Sequence, residues 1–233
     1  MSARGLGRTH SLSLGSGWPR FRFAPQVSTP MSTSFFHIDE QWSFRILRMR
    51  SEDGTNRLTR SRVLALTGEI ERLAQEPRPL VITGNDRFFS AGAELGEVGA
   101  LDGPTAYAFA KMGQALMARI ERFPAPVYAA ISGYCMGGGL DLALACRHRI
   151  ASPTAVFGHR GAALGLITGW GGTQRLPRLI GTGHALEMFV AAAKVGAQQA
   201  LDLGLVDALA PDPVTRAGQQ IRAGAARGSV VAE

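Results

Sequence analysis

Pro126-Val-Tyr-Ala-Ala-Ile-Ser-Gly-Tyr-Cys-Met-Gly-Gly-Gly-Leu-Asp141 is the stretch on which the fold turns. Pro126–Ile131 is a short apolar run of buried-strand length. It leads into Gly137–Gly139, which open a helix that runs through about Cys146. The first N–H groups of a helix lack intrahelical acceptors, and the positive end of the dipole lies there. Glycine lets a ligand oxygen approach them closely. The stretch has no G-x-G-x-x-G order and no Lys-Ser/Thr after the glycines, so it is neither a dinucleotide fingerprint nor a P-loop. Two readings stay open: an anion or oxyanion site, or glycines that only permit tight strand–helix packing. Asp141 follows about one helical turn later. Its carboxylate is either close to whatever the glycines hold, or a first-turn acid that complements the dipole.

Outward from this stretch, strands and helices alternate. Trp42, Phe44 and Ile46 have period two and predict a strand. Val63, Leu66, Ile70 and Leu73 step by three and four, which predicts a helix over about 58–75. Pro79–Thr83 reads as a short buried strand and Gly84–Gly92 as a loop. Pro104 opens a second helix with Ala108, Met112, Leu116 and Ile120 on one face. Arg149–Ala151 and Ala155–Phe157 read as strands; Gly171–Leu179, His184–Val195 and Ala197–Asp202 read as helices. Such alternation with short connections argues for an α/β fold.

The apolar content, 45% against 18% charged, is enough for one sizeable core. Residues 34–233 are expected to form that single domain. Residues 1–33 are rich in Ser, Gly and Arg, carry no acid, and read as a disordered extension. They are either the product of a wrongly called upstream start, with Met31 the true one, or a transit-like segment. The first case implies a cytoplasmic protein and the second a mitochondrial one. The net charge of +7 suggests nucleic acid at first sight, but four of the arginines lie before residue 39 with no acid among them. No basic stripe interleaved with aromatics follows, so no nucleic-acid partner is expected. No apolar run reaches the roughly 20 residues of a membrane helix, so no membrane partner is expected either.

Other clusters are weaker. Cys135 and Cys146, and histidines at 10, 37, 148, 159 and 184, show no metal-ligand spacing, so no metal is expected. Phe88-Phe-Ser90-Ala-Gly92 matches the serine-hydrolase elbow only in part, and Ser90 reads as a turn residue.

Taken together, these segments resemble the crotonase superfamily, the enoyl-CoA hydratase/isomerase family. The resemblance spans about Trp42 to Pro213. It is carried by Asn56-x-Leu58, Leu80–Gly84, Phe89-Ser-Ala-Gly-Ala-Glu-Leu95, the opening stretch through Leu142, Phe157-Gly158, Gly169-Trp-Gly-Gly-Thr-Gln-Arg-Leu176, and Ala200-x-x-x-Gly-Leu-Val206. It implies a ββα spiral core, here with a shortened C-terminal helical region. It also implies a homotrimer or hexamer acting on acyl-CoA, with no cofactor beyond the coenzyme A thioester that is the substrate. The backbone N–H groups that polarise the thioester carbonyl map to Ala93 and Gly138. Ala91, Glu94 and Leu95 map to the strip along the acyl-CoA path, Gly137 and Gly169 lie near the thioester, and Tyr134 and Gly161 are further substrate contacts. The first of two catalytic glutamates maps to Asp141.

The second glutamate is absent. The family text F-G-x-P-E-x-x-L-G reads here Phe157-Gly-His-Arg-Gly-Ala-Ala-Leu-Gly165, so Gly161 stands in its place. If the chain is extended there, His159 shares the face of Gly161 and supplies a proton. The simpler expectation places His159 at a strand end outside the pocket. Restoring glutamate at 161 is expected to raise hydration if the pocket is otherwise intact, and to cost stability, because it places a charge where none was accommodated. The resemblance thus implies a hydratase-type lyase with Asp141 acting on water. Decarboxylation or thioester hydrolysis in the same oxyanion hole is the alternative chemistry. A non-catalytic acyl-CoA-binding paralogue is the alternative class.

Overall fold

The computed structural model describes residues 35–230, with side chains to residue 224. The expected extension, 1–33, lies outside the described residues. The first elements are β1 (Phe36–Glu40), β2 (Arg45–Met49) and α1 (Arg60–Leu73). Three turns of a spiral follow. The first is β3 (Leu80–Thr83), β4 (Phe88–Ser90), α2 (Leu95–Gly99) and α3 (Gly103–Glu121). The second is β5 (Val127–Ile131), β6 (Tyr134–Met136) and α4 (Gly138–Ala145). The third is β7 (His148–Ala151), β8 (Val156–Gly158), a 3₁₀ turn over Arg160–Leu164, and α5 (Gly172–Ile180). The chain ends with α6 (Thr182–Val190), β9 (Lys194–Gly196), α7 (Ala197–Asp202), β10 (Ala208–Leu209) and α8 (Pro213–Val230).

Each turn gives one strand to each of two sheets. The larger runs β1-β2-β3-β5-β7-β10 and the smaller β4-β6-β8-β9. All pairings are parallel except those of the outer strands β1 and β9. This is the ββα spiral the sequence led us to expect.

The strand period sorts the core. Val127, Ala129 and Ile131 of β5 pack with Leu66, Ile70 and Leu116 of α1 and α3. Tyr128 and Ala130 point the other way, to Phe44, Ile46, Val81 and the α8 residues Ala217 and Ile221. A strand covered on both faces reads as a continuous apolar run, which is why β5 is so plain in the sequence. Helix α4 is buried all round, from Gly139 to Ala145. It carries no polar stripe, so its one acid is taken into the interior with it.

Several boundaries differ from the sequence reading. The expected loop 84–92 contains β4, and β6 intervenes between β5 and the glycines. Both are three-residue strands, too short for a period to show. Trp42 is almost fully exposed and precedes β2, so it does not share the strand of Phe44 and Ile46. The expected helix 184–195 ends at Val190. Ala192 then takes φ 51°, and Lys194–Gly196 turns back as β9 against β8.

Candidate active site

The spiral brings the ends of β4, β6 and β8 to one cavity of about 500 Å³, walled mainly by apolar side chains of α2, α3 and the segment 160–170. Ala91, Ala93, Leu95, Gly137, Gly138, Asp141, His159, Gly161 and Gly169 all line it. Tyr134 and Glu94, expected as substrate contacts, do not. Tyr134 is exposed at the far end of β6, where its ring meets Phe88 at 5.5 Å and Lys194. The Glu94 carboxylate caps α2 through the Gly96 N–H and pairs with Arg57 at 3.3 Å.

The two candidate oxyanion donors are neighbours. A Cβ on Gly138 would stand 3.5 Å from the Ala93 nitrogen. Ala93 forms an isolated parallel bridge with Leu58. The flanking groups make its bonds, Leu58 N–H to Gly92 O and Glu94 N–H to Leu58 O, so the Ala93 N–H lies outside the ladder. Gly138 is the first residue of α4, where an N–H has no intrahelical acceptor. Among the described hydrogen bonds neither amide has a protein acceptor.

Ser90 helps fix this wall. It is the last residue of β4, not part of a turn, and is wholly buried. Its hydroxyl donates to Asn56 O at 2.8 Å and accepts from the Gly92 N–H at 3.1 Å.

Asp141 has no exposed surface. Its Oδ2 accepts from the Thr168 hydroxyl, and its Oδ1 has no hydrogen-bond partner. Burial pushes its carboxyl up to about 7, against the opposing pull of Thr168, Arg175 and the nearby Gly172 amide. His159 lies opposite, with Nε2 3.4 Å from Asp141 Oδ1 and likewise without a hydrogen-bond partner. Burial pushes the imidazole down to about 4. The expectation that His159 lies outside the pocket is therefore wrong. The chain is not extended there either: a 3₁₀ turn begins at Arg160, so the strand relation between His159 and Gly161 fails. The histidine enters because β8 ends at Gly158 and the turn folds its ring against Phe189, with centroids 5.1 Å apart.

Gly161 leaves no room for the missing glutamate. The 3₁₀ turn that carries it is closed at its C-terminal end by Leu166 N–H to Gly161 O at 2.8 Å, and a Cβ on Gly161 would meet Leu166 O at 2.6 Å. We expect Gly161→Glu to lower the melting temperature without gain in hydration, read by thermal denaturation and enoyl thioester absorbance. This replaces the expectation from sequence that glutamate at 161 restores activity.

Two residues of Gly169–Leu176 and the one before it matter here without having been singled out. Thr168, just before that stretch, anchors Asp141. Trp170 is wedged against Gly113 and Gly138, and its Nε1–H donates to Phe109 O at 3.2 Å. A Cβ on Gly172 would stand 2.1 Å from Asp141 Oδ1 and 2.9 Å from His159 Nε2, so only a bare backbone fits beside the pair. A tryptophan set among glycines was the available signal for such close packing. Among the described residues no group of three or more His, Cys, Asp or Glu converges on a metal position, and no helix is long and apolar enough to cross a membrane.

Comparison with known proteins agrees with this architecture. The enoyl-CoA hydratase/isomerase family profile matches residues 43–223. A probable enoyl-CoA hydratase of Bacillus subtilis is 48% identical over 136 residues, which is 58% of this chain. The chain spans about half the length of that curated relative, 53%. The crystal structure of an enoyl-CoA hydratase from Bacillus anthracis superposes with a TM-score of 0.77 at 31% identity, covering 81% of this chain and 76% of that one. Pseudomonas aeruginosa DspI gives 0.77 at 32%, covering 84% of each chain. With the profile covering most of its length and the spiral fold shared, the chain belongs to the enoyl-CoA hydratase/isomerase family of the crotonase superfamily.

Proposed function

We propose that this protein adds water across the double bond of an α,β-unsaturated acyl-CoA. The thioester oxygen accepts from the Ala93 and Gly138 N–H groups, and Asp141 is the acid–base group. The observation that carries this reading is a buried carboxyl with one unpartnered oxygen, lining the same cavity as two free amides. Negative charge grows on the thioester oxygen as the enolate forms. Fixed donors in a water-poor site stabilise such charge by roughly 3–4 kcal/mol per donor. The apolar walls fit an acyl chain. The names of the relatives support a hydratase over the other reactions of the family, and Gly161 counts against isomerisation. Assembly as a homotrimer or hexamer belongs to the same proposal, with Leu186 and Val190 exposed on α6 in its support; light scattering measures it.

Loss of enoyl thioester absorbance from crotonyl-CoA tests the reaction, with Asp141→Asn as control. Wild-type turnover no faster than the control would overturn it. One observation favours a second reading: Asp141 is the only carboxylate among the described lining residues. Decarboxylation or thioester hydrolysis relies on the oxyanion hole more than on paired carboxylates. Release of CO2 from a malonyl thioester, or of free thiol from an acyl-CoA, distinguishes these. A protein inactive in all three assays that still binds acyl-CoA in a calorimetric titration is the non-catalytic paralogue.

A further inference from the structure

We propose that Asp141 and His159 work as one acid–base pair sharing a single proton, His159 taking a proton from the attacking water and Asp141 giving one to the substrate. The inference rests on the hydratase reading and supplies the second group that the reading lacks.

The geometry selects these two atoms. Thr168 occupies Asp141 Oδ2, so Oδ1 is the free oxygen, and it faces His159 Nε2 at 3.4 Å. Both atoms are buried, both lack a hydrogen-bond partner, and both residues line the cavity. Buried polar atoms without partners are rare in folded proteins and need a reason. Here a proton shared directly between the two atoms supplies it, since 3.4 Å leaves no room for a water between them. Gly172, whose missing Cβ would press on both atoms, lets the backbone pack beside them without pushing them apart.

The environment sets which atom holds the proton. Burial favours the neutral form of each group, so the pair is a carboxylic acid facing a neutral imidazole. Arg175 of α5 faces Asp141 and pulls the other way, while the thiol of Cys135 on β6 is buried and neutral. Arg160 follows His159 at the cavity wall.

The step then balances. A water O–H bond breaks, and its hydrogen goes to His159 Nε2, which is free when the ring proton sits on Nδ1. The water oxygen bonds to the β-carbon, and the π pair moves onto the thioester oxygen between the Ala93 and Gly138 amides. The enolate pair returns, the Asp141 O–H bond breaks, and that hydrogen bonds to the α-carbon. Imidazolium and carboxylate remain. The proton crosses from Nε2 to Oδ1 and restores the pair, so one water has been added and the protein is unchanged.

Two measurements test this on the full-length protein with crotonyl-CoA. Wild-type kcat should be level between about pH 4 and 7 and fall above about 7, as Asp141 loses the proton it must donate. A rate that instead rises through pH 7 would make the Asp141 carboxylate the base and overturn the assignment. His159→Gln, shown folded by circular dichroism, should lower kcat by about 100-fold or more with little change in KM. Folded His159→Gln with kcat within about threefold of wild type overturns the pair while leaving the hydratase reading intact. If that variant does not fold, the wild-type pH profile decides alone. Wild type without turnover overturns the hydratase reading itself, and the pair with it.

Discussion

Gly138→Pro is expected to leave a folded protein without measurable turnover, while Gly138→Ala keeps a substantial part of it. Gly138 is the first residue of α4, the one helical position where proline is tolerated because the N–H has no intrahelical acceptor. Proline removes that donor and puts its ring where the thioester oxygen must sit. Both substitutions add a Cβ, which would meet the Trp170 ring at 2.5 Å, so both should lower the melting temperature. Alanine is therefore the control for bulk, and the difference between the variants reads the donor. Loss of one oxyanion-hole donor costs roughly 10²–10³ in kcat. Equal kcat for the two folded variants would remove Gly138 from the site.

Asp141→Asn should lower kcat by about 100-fold or more. Asparagine keeps the size, and its amide oxygen can still accept from Thr168. It cannot give up or take a proton at these pH values. KM should change less, because the cavity presents mainly apolar side chains and backbone to the substrate. Unchanged kcat would exclude Asp141 from the chemistry.

How much of this was readable beforehand differs by element. Strand β5 declared itself as a continuous apolar run, and helices α1 and α3 because each is long enough for its buried face to repeat, although Phe109, not the exposed Ala108, begins that face in α3. Strands β4 and β6 did not. Three residues show no period, and the glycines on either side, Gly84 and Gly92 for β4 and Gly133 and Gly137 for β6, also suit a loop. The amides of Ala93 and Gly138 could be proposed only through the order of motifs, since backbone donors leave no side-chain trace. Asp141 was named but its burial was not foreseen; that follows from α4 being apolar on every side. His159 was misplaced because its position depends on where β8 stops. The change from strand to 3₁₀ turn at Arg160 has no local marker beyond the replacement of a proline by arginine. Thr168 meets Asp141 across 27 residues of chain, a separation that no local pattern spans.

Burying Asp141 beside His159 also shapes how the folding equilibrium responds to acid. The carboxyl rises from an ordinary 3.8 to about 7, so by itself it makes the fold lose stability as pH climbs through that interval. The imidazole drops from 6.5 to about 4, so by itself it makes the fold gain stability over nearly the same interval. Between about pH 4 and 6.5 the unfolded chain carries one proton on the histidine, and the native chain carries one on the aspartate. Folding relocates that proton without taking up or releasing any, and the two slopes cancel. The cancellation is hidden in wild type and is exposed by removing either partner. Relative to wild type, the melting temperature of Asp141→Asn should rise from pH 4 to 6.5, and that of His159→Gln should fall across the same range, the background from groups such as His148 being common to both. Relative slopes of the same sign in both variants would mean that the two groups do not exchange a proton on folding.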